Sequence, residues 1–139
     1  MKKSLKIISL LMIITCCFLL TGCGSKEKED KEVRFEVDQV DEKNVHVEVN
    51  NLPTGEVKSA TIEVSEGESI ITSYNLEETA GLKVSQYLVE GDEKQDYGYE
   101  VLIGEDGESS MSEIPAGTYE LVFEADSAGV SGIIDITAK

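Results

Sequence analysis

From residue 33 onward, apolar side chains recur at every second position in short runs separated by turn residues. That period of two places one face of an extended chain on a core and the other in water. Val33, Phe35 and Val37 share one parity while Arg34, Glu36 and Asp38 share the other. Past Asp41-Glu42-Lys43-Asn44 the pattern resumes with Val45, Val47 and Val49, leaving His46 and Glu48 on the outer side, so the two runs predict a hairpin. Pro53 and Gly55 suit a turn, Pro53 by its fixed φ and Gly55 by its access to positive φ. A third strand follows with Ala60, Ile62 and Val64 on one face, and Ile70 to Tyr74 predicts a short fourth, with 75–81 as a connection.

The stretch Leu82 to Glu90 changes parity part-way, because Leu82 and Val84 share one set of positions and Tyr87 and Val89 the other. A β-bulge near Ser85 or Gln86 would reconcile them. Gly91 to Asp96 is expected as an acidic turn, after which Tyr97, Tyr99, Val101 and Ile103 alternate with Gly98, Glu100 and Leu102. Asp106-Gly107 is a hairpin signal, since both residues tolerate positive φ. Glu108 to Ile114 predicts a polar edge strand, Tyr119, Leu121 and Phe123 the core face of a central strand, and Ile134 and Ile136 that of the last one. No window from 33 onward keeps the i, i+3, i+4, i+7 spacing of a helix for three turns. The expectation is an all-β fold over residues 33–138, a single antiparallel β-sandwich of about 7–9 strands. A closed barrel has the same strand count and stays open as the alternative.

The N-terminal pattern is different. Lys2, Lys3 and Lys6 precede an uncharged apolar run from Ile7 to Leu20, and small residues follow. These are the three parts of a secretory signal. The 14 residues of that run fall short of the roughly 20 that a membrane-spanning helix needs, which argues against a retained transmembrane segment. Leu20-Thr21-Gly22-Cys23 resembles a bacterial lipobox: a branched apolar residue three before the cysteine, then two small ones. The resemblance implies that a signal peptidase recognises Leu20, Thr21 and Gly22, that residues 1–22 are removed, and that Cys23 becomes the first residue and carries a diacylglyceryl group with palmitate-like chains. Two acyl chains make a stable anchor where one is marginal. The implied place is the extracytoplasmic face of the plasma membrane, or an outer membrane where there are two. Residues 23–32 then form the lipidated cysteine and a charged tether, whose nine residues after Cys23 reach at most about 30 Å.

A second, shorter resemblance lies at Pro115-Ala116-Gly117-Thr118-Tyr119-Glu120-Leu121, which is similar to the turn-into-strand of bacterial immunoglobulin-like and prealbumin-like surface modules. It implies an immunoglobulin-like sandwich in which Tyr119 hydrogen-bonds the backbone of the corner before its strand.

Charge narrows the partners. The chain carries a formal −16, and loss of three lysines with the signal takes this to −19. Such a chain is repelled by nucleic acid and by anionic headgroups, so no nucleic-acid partner is expected. Cys16 and Cys17 lie in the discarded segment and Cys23 is consumed by the lipid, leaving no thiol for a disulfide, a zinc site or a nucleophile.

The remaining chemistry is sparse, and no catalytic residue is assigned. His46 is the sole histidine, and alternation sets it on an outer face without a nucleophile elbow. Calcium would draw on carboxylates and carbonyls; its weak candidates are Asp92, Glu93 and Asp96, which do not match the spacing of a known calcium loop. Tyr87, Tyr97 and Tyr99 flank the same loop and form a candidate contact surface, although Tyr97 and Tyr99, two apart, fit equally on the core face. No cofactor is implied. The expected role is a non-enzymatic binding or interaction module of the cell envelope, with an envelope protein or glycan as partner; the alternative is a sensor domain for a small ligand, glycan or calcium.

Overall fold

The computed structural model describes residues 32–139, in which nine strands are paired, all of them antiparallel. The signal, the lipobox with Cys23, and the tether up to Lys31 lie outside the described residues. The strands are β1 (Arg34–Asp41), β2 (Asn44–Leu52), β3 (Val57–Val64), β4 (Ile70–Leu76), β5 (Leu82–Glu90), β6 (Glu93–Leu102), β7 (Gly107–Met111), β8 (Gly117–Ala125) and β9 (Val130–Ala138). They form a five-stranded sheet in the order β1-β2-β9-β4-β7 and a four-stranded sheet in the order β3-β8-β5-β6. The chain is a β-sandwich, as the period-two pattern predicts.

Its strand order differs from the one implied by the resemblance around Tyr119. An immunoglobulin sandwich keeps its first, second, fourth and fifth strands in one sheet. Here strands β2 to β9 are shared between the sheets in the order of a jelly roll, changing sheet at every step except the β5–β6 hairpin, with β1 added at one edge. The cause is the placement of β8 and β9, which insert between β3 and β5 and between β2 and β4 respectively.

Residues of one parity fill the space between the sheets. Val45, Val47 and Val49 of β2 meet Ile134 and Ile136 of β9 from one sheet, and Ile62, Leu82, Val84, Leu121 and Phe123 come from the other; all are buried. Burial of a Val, Leu, Ile or Phe side chain contributes about 1.5–3 kcal/mol, so this interior outweighs any surface pairing. Tyr119 joins it, and its hydroxyl donates to the carbonyl of Pro115 at 2.8 Å. A burial that leaves the phenol paired removes its desolvation penalty.

Two expectations on register are corrected. In β5, Leu82, Val84, Gln86 and Leu88 all face inward, so Tyr87 and Val89 lie on the outer face and β5 has no bulge. The extra residue sits on its partner: Ser85 pairs with Tyr99 and Tyr87 with Asp96, two steps on β5 against three on β6. Gly98, at φ +101, absorbs it, with its N–H held by the Asp96 carboxylate at 2.7 Å. The bulge inverts the parity beyond it, so Leu102 is buried while Tyr99, Val101 and Ile103 are exposed at 66%, 39% and 53%. Further, β6 starts at Glu93, which shortens the expected 91–96 turn to Gly91-Asp92.

The two long sides of the sandwich are finished differently. Along β3 the neighbouring β1 and its turn cover the free edge: Thr61 N–H is taken by the Gln39 side chain at 3.2 Å, Glu63 N–H by the Glu42 carbonyl at 2.7 Å, and Lys58 caps the Phe35 carbonyl and lies over the Phe35 ring. Along β6 and β7 a cleft of about 210 Å³ opens between the sheets, lined by Gln86, Tyr97, Glu100, Ser109 and Met111.

Candidate functional site

A groove of about 480 Å³ lies on the five-stranded sheet, where β7, β4 and β9 run side by side. Alternation decides what it presents. On β4, Ile70, Thr72 and Leu76 are turned to the core, so Ser73 and Asn75 point out. Register then aligns Ser73 with Asp135 of β9 and Glu108 of β7, and Asn75 with Ile133 of β9. Asp106, in the turn before β7 at φ +52, closes the end of the groove.

Two donor–acceptor pairs line this groove. The Asn75 amide donates to Asp106 Oδ1, and the Ser73 hydroxyl to Glu108 Oε2, both at 3.5 Å. Bonds of that length are weak, so all four groups keep capacity for a ligand. Ile133, 45% exposed, supplies the apolar part of the floor. Beneath the β7 end of the groove, the Tyr74 ring occupies the space where Gly107 would carry a Cβ, 2.0 Å from the ring's Cζ, which lets β7 approach β4 closely there.

His46 stands next along the same row of the sheet. As expected it is on the outer face of β2, but its contact is with Asp135 rather than Glu48: Nδ1 lies 2.6 Å from Oδ1. Asp135 stands between His46 and Ser73, which therefore sit two strands apart, about 9–10 Å at ordinary strand spacing. That is too far for the hydroxyl–imidazole contact of nucleophilic catalysis. The pairing of residues 46 and 135, separated by 89 positions, carried no local sequence signal.

The other candidates are dispersed. Asp92 and Glu93 are exposed at the β5–β6 turn, and Asp96 is engaged with Gly98 N–H. Among the described residues, no three His, Cys, Asp or Glu side chains are grouped to hold a metal ion. The three tyrosines do not form one surface. Tyr97 turns inward and meets the Tyr119 ring edge-on, with centroids 5.5 Å apart, whereas Tyr87 and Tyr99 lie on the outer face of the four-stranded sheet. Lys83 lies over the Tyr99 ring at 4.7 Å, and Lys94 reaches across from β6 to Glu120 of β8 at 2.5 Å. Neither contact has a local sequence signal, yet both follow from parity once the β6 bulge is placed. Tyr119 bonds the corner at Pro115, and burial, followed by the proximity of Tyr97, pushes its hydroxyl pKa up to about 12.

Comparison with known proteins adds little to this geometry. No protein-family model matches the chain, and no curated protein does. Solved structures similar to it include one described as "CBM4 structure and function", at 11% identity and TM-score 0.40 over 81% of this chain and 82% of that one. Another is TmCBM61 in complex with β-1,4-galactotriose, at 15% identity and TM-score 0.34 over 70% of this chain and 65% of that one. A third is the accessory secretory protein 1, 2 and 3 complex of Streptococcus pneumoniae, at 14% identity and TM-score 0.38 over 85% and 90%. The sandwich itself rests on the strand pairing described above.

Proposed function

We propose that this chain is a bacterial lipoprotein, anchored through Cys23 on the extracytoplasmic side of the membrane, whose sandwich is a non-enzymatic binding module. Its ligand is a hydroxyl-rich chain, a glycan, held in the groove across β7, β4 and β9. The observation that carries this is the pair of loosely satisfied donor–acceptor couples, Asn75 with Asp106 and Ser73 with Glu108, each at 3.5 Å. Each couple offers one acceptor and one donor side by side, which matches a sugar hydroxyl that both donates and accepts. Anionic ligands are repelled by Asp106, Glu108 and Asp135, and a wholly apolar ligand would strip water from these carboxylates without replacing it. Ile133 gives the C–H face of a sugar ring an apolar contact.

The test is affinity electrophoresis of the detergent-solubilised chain through gels containing each of a panel of neutral and amino-sugar polysaccharides. At least one polysaccharide should retard the protein, and Asp106→Ala/Glu108→Ala should restore its mobility. Free migration in every gel, or equal retardation of the double variant, would remove the glycan reading.

A further inference from the structure

The open side of the sandwich carries a second feature, independent of the groove. Beyond the bulge at Gly98, β6 and the residue that follows it present Tyr99, Val101 and Ile103 in an exposed apolar row at the edge of the four-stranded sheet, with nothing paired to the free side of β6. Among the described residues, no side chain or loop hydrogen-bonds the backbone of residues 99–103, in contrast to the β3 edge, where Gln39 and Glu42 accept from the N–H groups of Thr61 and Glu63. Apolar edges left uncovered invite another strand, and folded proteins guard them with bulges, inward-pointing charge, proline or cover. Cover lies over one edge of this sheet and not over the other, so past the bulge the guard at residues 99–103 is the single carboxylate of Glu100.

The inward side of the same segment sets the chemistry of what pairs there. Glu100 lies opposite the buried Val84, so its side chain points into the cleft between β6 and β7. Its one described contact is a long one, from Gln86 Nε2 at 3.4 Å, and no Lys or Arg lies within ion-pairing distance of it among the described residues. A strand added beside β6 would face Tyr99 and Val101 with two of its side chains and Glu100 with the one between. We infer that the Tyr99–Ile103 edge of β6 accepts an extended segment of another polypeptide with the pattern apolar–basic–apolar, its Lys or Arg entering the cleft to pair with Glu100. Main-chain bonds to the edge supply affinity and the alternating side chains supply selectivity, as in other strand-addition complexes. A second copy of this chain is a poor occupant: it carries −16, and an antiparallel pairing of this edge with itself centred on Glu100, which would set Tyr99 beside Val101, also sets the two Glu100 carboxylates against each other.

The experiment is selection of a displayed library of random nine-residue peptides on the full chain immobilised in detergent, followed by hydrogen exchange with the best synthetic peptide. Peptides with an apolar–basic–apolar triplet should be enriched, and amide protection at residues 99–103 should rise at least tenfold. Val101→Lys and, separately, the more exposed Tyr99→Lys should each weaken binding at least tenfold with an unchanged melting temperature, while Glu100→Gln should keep the apolar preference and lose the basic one. No enrichment, enrichment of acidic peptides, protection confined to other strands, binding indifferent to both lysine variants, or dimerisation of the chain through this edge would each overturn the inference.

Discussion

The hydroxyl of Tyr119 donates to the carbonyl of Pro115, 2.8 Å away and four residues back along the chain. This bond fixes the entry of β8, the strand between β3 and β5, to the corner that precedes it. Replacing Tyr119 by Phe keeps the ring and deletes the bond, at a cost of about 0.5–1.5 kcal/mol. A domain near this size loses about 4–8 °C in melting temperature per kcal/mol. A thermal melt of Tyr119→Phe that matches the parent would show that the corner is held by packing alone.

The same hydroxyl predicts an alkaline limit. Its pKa in the fold is raised to about 12 by burial and the neighbouring Tyr97, against about 10 in an unfolded chain. Between those values the unfolded state has given up the proton and the folded state has not, so stability is fully present below about pH 10 and declines as pH rises toward about 12. Urea midpoints measured from pH 9 to 12 should fall in the parent protein and fall less steeply in Tyr119→Phe.

On the acid side the turn between β1 and β2 decides. The Asp41 carboxylate accepts from Lys43 N–H and then from the Asn44 amide, and Glu68 is held by the Lys43 ammonium and then by Ser65 N–H; both pKa values are lowered. A lowered carboxylate contributes stability above its unfolded pKa that is lost as pH falls through the folded value. Urea midpoints should therefore drop below about pH 4, and Glu68→Gln should flatten that drop while lowering the midpoint at neutral pH.

Gly132 separates two kinds of glycine. It sits in β9 at φ +142, and an added Cβ would lie 2.2 Å from the backbone carbonyl oxygen of Asn75 on β4. Strain and overpacking each cost about 1–3 kcal/mol, so Gly132→Ala should destabilise by about 2–6 kcal/mol. Gly55, at φ +90 with nothing within 4 Å, should cost only about 1–2 kcal/mol when replaced by Ala. Chemical denaturation of the two variants side by side checks the ranking.

The proposed anchor makes a fifth, separate prediction. Cys23→Ala should move the protein from the membrane to the soluble fraction or leave it unprocessed, while the sandwich keeps its melting temperature. Membrane-bound Cys23→Ala protein of normal mature size would contradict lipidation at that residue.

Much of the sandwich is readable from parity alone. Val45, Val47, Val49, Ile62, Val64, Leu121, Phe123, Ile134 and Ile136 all face the core as their alternation predicts, because each strand there carries most of its apolar residues on one side. The pattern failed at β6, where Tyr97, Tyr99, Val101, Leu102 and Ile103 supply apolar side chains in both parities. The deciding residue was Gly98, and the cue was Asp96 two positions before it, an acid placed to hold the glycine N–H. The assignment of strands to sheets was not readable, since β2 finds β9 and β3 finds β8 across most of the chain length. For the same reason the groove escaped notice: Ser73, Asn75, Asp106, Glu108 and Asp135 are ordinary surface residues until register brings three strands together.

The central positions of β8 and β9 have a consequence for the order of events in biosynthesis. A ribosome makes the chain from its N-terminus, yet the four-stranded sheet lacks its middle until 117–125 are made, and the five-stranded sheet until 130–138. Up to then only pairs such as β1–β2, β5–β6 and β4–β7 can form, and isolated two-stranded units are marginal in water. The nascent protein is thus kept pliable by its own topology and gains rigidity when its last strands are made.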